Sequence, residues 1–181
     1  MTHEILMAGF GGQGIMFMGT LLAHAGMMED KEVTWMPSYG PEMRGGTANC
    51  SVVISHEPVA SPLVSEPTAL IVMNRPSLER FEGTLRPGGL LVVNTSLVDR
   101  RPERQDVRLL EVPANEMADR LGSLRVANMV VLGAFVQASR VVTLHSIKQA
   151  LPEVLPQHRH GLIEVNVKAL EAGAALASGG Q

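Results

Sequence analysis

The first segment of this sequence that could do chemistry is a run of glycines near the start of the chain. A short apolar stretch at residues 4–8 precedes it, and helical spacing begins at residue 13. Glycines let the backbone turn sharply and approach a ligand, and the free N–H groups of a helix start favour a phosphate or carboxylate. We predict an anion-binding or backbone-contact loop; the alternative is that the glycines only allow the strand to pack closely on the helix. The candidate residues of this glycine loop are Gly9, Gly11, Gly12, Gln13 and Gly14.

The glycine spacing also fits the G-x-G-x-x-G fingerprint of dinucleotide-binding proteins, but a second requirement of that site fails. Such sites place an acidic residue at the end of the second strand, about 20 residues further on, to hold the ribose hydroxyls. The second predicted strand, residues 33–36, is followed by Pro37 and by no acid, whereas Asp30 and Glu32 come before it. The sequence therefore argues against a nicotinamide dinucleotide site.

A second segment, residues 37–50, gathers residue types that are rare elsewhere in the chain. It holds the single Tyr of the sequence and lies next to the single Trp, Trp35. In a Rossmann-like sheet it would leave the carboxyl end of the second strand, near the glycine loop, where ligands bind. We predict a functional surface here; the alternative is a rigid turn of Pro and Gly with solvated charges. The candidate binding residues are Ser38, Tyr39, Glu42 and Arg44.

No set of residues has the spacing of a known catalytic or metal site. The sequence contains neither G-x-S-x-G nor H-E-x-x-H. The single cysteine, Cys50, lies in a predicted strand and is predicted to be a core residue rather than a nucleophile. One thiol cannot supply the four that an iron–sulfur cluster usually takes. We therefore predict no catalytic residue and no metal ligand in this chain.

The composition argues against several classes of protein. Of the 181 residues, 45% are hydrophobic and 18% are charged, and the net charge is −3. A nucleic-acid binder usually carries a basic surface and a disordered protein carries more charge, so neither class is expected. Low charge and 11 methionines are typical of a surface that other subunits cover.

The apolar stretches do not have the pattern of a targeting or membrane segment. The first is interrupted by glycines and lacks the basic start of a signal peptide. The second, residues 129–136, is far shorter than the roughly 20 residues that span a bilayer. We expect a cytoplasmic protein with no membrane partner.

Short β-rich runs alternate with helical patterns along most of the chain. The predicted strands are residues 4–8, 33–36, 47–55, 69–73, 90–93 and 107–112. The predicted helices are residues 13–26, 76–82, 115–121, 126–139, 144–151 with Thr143 as N-cap, and 161–177. This alternation predicts an α/β fold, with a Rossmann-like, largely parallel sheet flanked by helices and a helical C-terminal part. We expect a single domain over residues 1–177 and a disordered tail at 178–181.

The two glycine-containing segments, in this order and at this separation, resemble the gamma subunit of the 2-oxoacid:ferredoxin oxidoreductases. The resemblance rests on residues 5–15, which read ILMAGFGGQGI, and on residues 37–48, which read PSYGPEMRGGTA. Residues 128–134, NMVVLGA, also look like that family. The similarity runs from residue 4 to about residue 170, nearly the whole chain.

The resemblance implies that this chain works as part of an enzyme complex. Such enzymes oxidatively decarboxylate a 2-oxoacid, such as pyruvate or 2-oxoglutarate, with coenzyme A; acyl-CoA and CO₂ form, and electrons reach ferredoxin. In that family thiamine diphosphate, Mg²⁺ and the iron–sulfur clusters belong to partner subunits, named alpha, beta and in some cases delta. The resemblance therefore implies that the isolated chain binds no cofactor and is inactive. Its two loops would face the shared active site and contact coenzyme A or a partner subunit.

Two other functions stay open at this point. A stand-alone dinucleotide-binding oxidoreductase would bind NAD tightly as an isolated chain. A small-ligand binding module would be a stable monomer or homodimer without a large exposed apolar patch.

Overall fold

The computed structural model describes residues 1–38 and 47–179, and within them six strands form one mixed sheet. In chain order the strands are β1 (Thr2–Phe10), β2 (Glu32–Ser38), β3 (Thr47–Ser55), β4 (Ala69–Val72), β5 (Leu90–Asn94) and β6 (Arg108–Val112). Their order across the sheet is β2-β3-β1-β4-β5-β6. Each predicted strand is confirmed, with ends that differ by a few residues.

One strand of the sheet runs against the others. Strand β1 pairs in parallel with β4, β4 with β5, and β5 with β6, whereas β3 is antiparallel to both β1 and β2. Only residues 39–46 separate β2 from β3, and a parallel crossover needs a dozen or more residues. The predicted α/β, largely parallel sheet is confirmed, and β3 is its single reversed strand among the described residues.

Helices occupy most of the remaining chain and the whole C-terminal part. They are α1 (Ile15–Met28), α2 (Arg75–Phe81), α3 (Ala114–Arg120), α4 (Ala127–Ser139), α5 (Leu144–Val154) and α6 (Ile163–Gly179). The predicted cap of α5 is confirmed, because the hydroxyl of Thr143 accepts a 3.1 Å hydrogen bond from the backbone N–H of Ser146. Helix α6 includes Ser178 and Gly179, which the sequence had assigned to a tail; the Ser178 hydroxyl bonds back to Ala174 O at 3.0 Å. No helix in the described ranges is long and apolar enough to cross a membrane.

Both faces of the sheet are covered, and the apolar cluster on one face is larger than the cluster on the other. On one face, Ile5, Met7 and Ile71 pack with α1, α4, α5 and α6 in the larger apolar cluster. On the other face, Leu6 and Leu70 pack with α2 and the connection after β5 in a smaller cluster. Because successive residues of a strand point to opposite faces, both covered faces need apolar residues, and β4 is accordingly apolar throughout.

Helices α4 and α6 cross where neither has room for a side chain. A Cβ atom built on Gly133 would lie 2.7 Å from the carbonyl carbon of Leu170. One built on Gly173 would lie 2.8 Å from the carbonyl carbon of Val130. The two backbones therefore touch, and this contact fixes α6 against α4.

Glu29 ties the end of α1 to the start of α5. Its Oε2 accepts a 2.7 Å hydrogen bond from Lys31 Nζ, and its Oε1 accepts a 2.6 Å bond from the backbone N–H of Thr143. Burial alone would raise the pKa of Glu29, but the hydrogen bonds from Lys31 and Thr143 outweigh it and lower the pKa to about 2. The charged carboxylate therefore stabilises the packing of these helices.

Candidate functional site

The glycine loop connects β1 to α1 through two residues with left-handed backbone conformations. Gly12 has a φ of 92°, and Gly14, the N-cap of α1, has a φ of 74°. A side chain is strained at such angles, so the turn requires glycine at both positions. The loop is closed by a 3.1 Å hydrogen bond from the N–H of Gln13 to Phe10 O.

The glycines of the loop differ in what surrounds them. A Cβ atom on Gly9 would lie 2.6 Å from Oε1 of Gln13, and one on Gly14 would overlap the side-chain amide of Asn128. Gly11 and Gly12 are exposed, and nothing lies within 4 Å of a Cβ atom built on Gly12. Close packing therefore explains Gly9 and Gly14, whereas the backbone at Gly12 is open to a ligand or a partner. No acidic residue occupies the first turn of α1.

Gln13 holds the loop against the neighbouring strand. Its Oε1 accepts hydrogen bonds from the N–H of Phe10 at 2.6 Å and from Nδ2 of Asn74 at 3.0 Å. Its Nε2 donates to Met73 O at 3.4 Å. Met73 and Asn74 directly follow β4, so the side chain of Gln13 sets the position of the loop relative to the carboxyl end of that strand.

A fully buried amide extends this network to the next strand. Asn94, the last residue of β5, donates through Nδ2 to Met73 O at 3.3 Å and to Oδ1 of Asn115 at 2.9 Å. Its Oδ1 accepts from the N–H of Ala114 at 3.2 Å, at the start of α3. Buried amides with their partners in place are rigid and well defined. The side-chain amides of Gln13, Asn74, Asn94 and Asn115, here called the amide row, thus hold the loop at the carboxyl edge of the sheet.

The sequence interpretation missed part of this row. Asn74, Asn94 and Asn115 were not among the predicted site residues. The signal was present, since Asn74 and Asn94 each stand at the end of a short, wholly apolar strand, where α/β proteins place ligand-binding residues. Asn128 of α4 is also buried, and its Nδ2 donates to Gly14 O at 3.4 Å.

The second predicted segment is only partly described. Ser38 is the last residue of β2, is exposed, and pairs with Asn49 of β3. Tyr39, Glu42 and Arg44 lie outside the described residues. The chain returns to the sheet at Thr47, directly opposite Phe10 of the glycine loop. Strand β3 therefore begins beside the glycine loop.

Cys50 is a core residue, as predicted. It is fully buried, and its Sγ lies 3.6 Å from Ile15 O. Burial raises the pKa of the Cys50 thiol to about 12, so the thiolate that attacks substrates or binds iron does not form at neutral pH. In the part of the chain that the structure describes, no group of three or more His, Cys, Asp or Glu side chains could hold a metal ion. The residues present do not fit an iron–sulfur cluster.

The chain is thus an α/β domain with a glycine loop held by side-chain amides at the carboxyl edge of its sheet. The sequence profile of the pyruvate ferredoxin/flavodoxin oxidoreductase family matches residues 4–176, and the chain belongs to this family. The resemblance to gamma subunits that the two segments indicated is confirmed.

Relatives of two lengths match the chain. Ketoisovalerate oxidoreductase subunit VorA of Methanothermobacter marburgensis is 41% identical over 173 residues, which are 94% of this chain but 36% of that protein. The chain thus spans about a third of that relative. The 2-oxoglutarate synthase subunit KorC of the same organism is 35% identical, and the match covers 100% of both chains.

Two solved structures share the fold. The keto/oxoacid ferredoxin oxidoreductase gamma subunit from Geobacter sulfurreducens is 29% identical, with a TM-score of 0.85 over 98% of this chain and 99% of that one. The 2-oxoglutarate:ferredoxin oxidoreductase from Magnetococcus marinus, with 2-oxoglutarate, coenzyme A and succinyl-CoA bound, is 25% identical, with a TM-score of 0.89. That match covers 98% of this chain and 31% of the other.

Proposed function

We propose that this chain is the gamma subunit of a cytoplasmic, multi-subunit 2-oxoacid:ferredoxin oxidoreductase. The complex would oxidatively decarboxylate a 2-oxoacid with coenzyme A to acyl-CoA and CO₂ and would reduce ferredoxin. The observation that carries the proposal is the match along the full length of both chains to a KorC subunit and to a solved gamma subunit. This match favours a subunit over a stand-alone dinucleotide-binding oxidoreductase or a ligand-binding module.

In this proposal, partner subunits carry out the decarboxylation and the electron transfer. Thiamine diphosphate with Mg²⁺ would activate the 2-oxoacid there, and iron–sulfur clusters would carry the electrons. Alpha and beta subunits, and a delta subunit where one exists, are the proposed partners. The buried, protonated Cys50 supports this division, because it offers no thiolate to a cluster. Residues 1–177 would act as one domain that completes the assembly.

The glycine loop would face the shared active site. The exposed backbone at Gly11 and Gly12, at the N-terminus of α1, suits a phosphate of coenzyme A or a carboxylate of a partner. Gln13 would keep the loop in place through Met73 and Asn74. Arg44, in the neighbouring segment, would supply the positive charge, because guanidinium binds such anions in two places.

A native pull-down of this chain from its own cells, under anaerobic conditions, tests the proposal. We expect thiamine-binding and ferredoxin-like subunits to co-purify, with dye reduction that needs both coenzyme A and a 2-oxoacid. Assays with pyruvate, 2-oxoglutarate and ketoisovalerate then identify the substrate. A chain that purifies alone and without such activity would refute the subunit role.

The role of Arg44 needs a separate experiment on the assembled complex. We expect Arg44→Ala to raise the KM for coenzyme A, while Arg101→Ala, an exposed arginine after β5, leaves it unchanged. If Arg44→Ala weakens assembly but not the KM, the residue contacts a partner subunit instead of coenzyme A.

A further inference from the structure

A groove begins at the glycine loop and extends beyond it. It consists of two adjoining cavities that share Arg125 and Asn128. The smaller, of about 110 Å³, lies against Gly12 and Gln13. The larger, of about 300 Å³, lies on the other side of Asn128, between α1, α4 and the start of α6. The groove therefore continues the candidate site onto the helical face of the sheet.

The walls of the larger cavity are mainly apolar. Phe17 of α1, Leu155 after α5 and Val165 of α6 line it. At the rim, Leu162 is 46% exposed, and Leu124, which lines the smaller cavity, is 58% exposed. Large side chains exposed on both sides of an apolar groove mark a surface that something else covers.

The charge of the groove has one sign. Arg125 and Arg159 line it, both are exposed, and neither has a carboxylate partner among the described residues. No Asp or Glu lines either cavity. Within the described ranges, Arg75, Arg100 and Arg104 are each paired with a carboxylate of this chain, whereas Arg125 and Arg159, like Arg101, are not. Two unpaired guanidinium groups beside an apolar wall call for an anionic ligand.

A buried amide in the wall offers an acceptor. Asn166 is 7% exposed and lines the larger cavity. Its Nδ2 donates to Leu162 O at 2.7 Å, whereas its Oδ1 accepts from no described group. This oxygen is not among the buried side-chain atoms that lack a partner, so it is open to solvent in the groove and accessible to an N–H donor that enters it.

We propose that the groove docks a segment of a partner subunit in which an acidic residue stands next to a large apolar one. The carboxylate would pair with Arg125 and Arg159, the apolar side chain would cover Phe17 and Val165, and a backbone N–H would reach Oδ1 of Asn166. The exposed leucines of the rim favour a polypeptide over a small molecule, because they extend the apolar surface beyond the groove itself. This inference rests on the proposed role as a subunit.

Charge reversal in the reconstituted complex tests this docking. We expect the double variant Arg125→Glu, Arg159→Glu to bind the partner subunits at least about tenfold more weakly, because like charges would then face each other. Arg101→Glu, the matched control, should change the affinity less than about twofold. Arg125→Gln with Arg159→Gln, which removes charge without repulsion, should give an intermediate loss. Circular dichroism of each isolated variant reports whether it is folded.

The outcomes separate this inference from the function on which it rests. An unchanged affinity in both double variants overturns the docking proposal while the subunit role stands. A raised KM for coenzyme A with unchanged affinity for the partner subunits also overturns it, since the groove would then hold a small molecule. If the unmodified chain fails to assemble with any such subunit, both the docking and the proposed function are refuted.

Discussion

Replacing Gly14 with alanine should destabilise the chain more than the same change at Gly12, and the difference should depend on Asn128. Both glycines have left-handed φ angles, of 74° and 92°. A Cβ atom at Gly12 meets nothing within 4 Å, whereas one at Gly14 overlaps the Asn128 amide. The two substitutions therefore share the backbone strain but not the steric conflict.

The size of each effect follows from these contacts. A non-glycine residue in the left-handed region costs about 1–2 kcal/mol. Forcing a buried side chain out of its place costs about 1–3 kcal/mol more, and Asn128 would also lose its hydrogen bond to Gly14 O. We expect Gly12→Ala to lower the free energy of unfolding by about 1–2 kcal/mol and Gly14→Ala to lower it by about 2–5 kcal/mol.

A double-mutant cycle with Asn128→Ala isolates the steric conflict. Urea unfolding of the four chains, followed by circular dichroism, gives each free energy of unfolding. Shortening Asn128 should recover about 1–3 kcal/mol in the Gly14→Ala background, seen as a coupling energy between the two positions. Equal losses for Gly12→Ala and Gly14→Ala, with no coupling to Asn128, would refute this reading of the loop.

Two further predictions concern the helices. The pKa of Glu29 is lowered from 4.5 to about 2, which limits its contribution to the free energy of unfolding to about 3 kcal/mol. Solvent screening of the partly exposed carboxylate reduces this contribution to about 1–2 kcal/mol. Since the folded pKa is the lower one, this stability is complete above about pH 4.5 and disappears as the pH falls toward about 2. Glu29→Gln should therefore have a lower free energy of unfolding than the unmodified chain at neutral pH, and the two values should converge in acid. The control variant Glu66→Gln should not show this change with pH, and a pH-independent difference for Glu29→Gln would contradict the assignment. Gly173→Ala should lower the midpoint of thermal unfolding, because its clash with Val130 outweighs the roughly 1 kcal/mol that alanine gains in a helix. Gly161→Ala, where a Cβ atom has open space, is the matched control, and similar midpoints for the two variants would show that α4 and α6 are not in backbone contact.

The elements that the sequence predicted well are those with local signals. The glycine loop follows an apolar strand and opens a helix, and Thr143 has the spacing of an N-cap, so both could be located from neighbouring residues. The direction of β3 was not predicted, although the short separation from β2 already excluded a parallel crossover.

The amide row could not be assembled from the sequence in the same way. The positions of Asn74 and Asn94 at strand ends can be seen in the sequence, but their hydrogen-bond partners, Gln13 and Met73, follow other strands. Gln13 was a candidate only because it stands among the glycines, yet its side chain makes three of the contacts that hold the loop. Such roles depend on which strands become neighbours, and strand order is a property of the whole sheet.

The amide row also has a consequence for the order in which the chain folds. Gln13 bonds to Asn74, 61 positions away, and Asn94 bonds to Met73, 21 positions away. Contacts between distant positions form only after the intervening loops have closed, so the glycine loop cannot take its final shape before β4 and β5 have joined β1. A newly made chain would therefore display this edge in its final form only once its central sheet is complete.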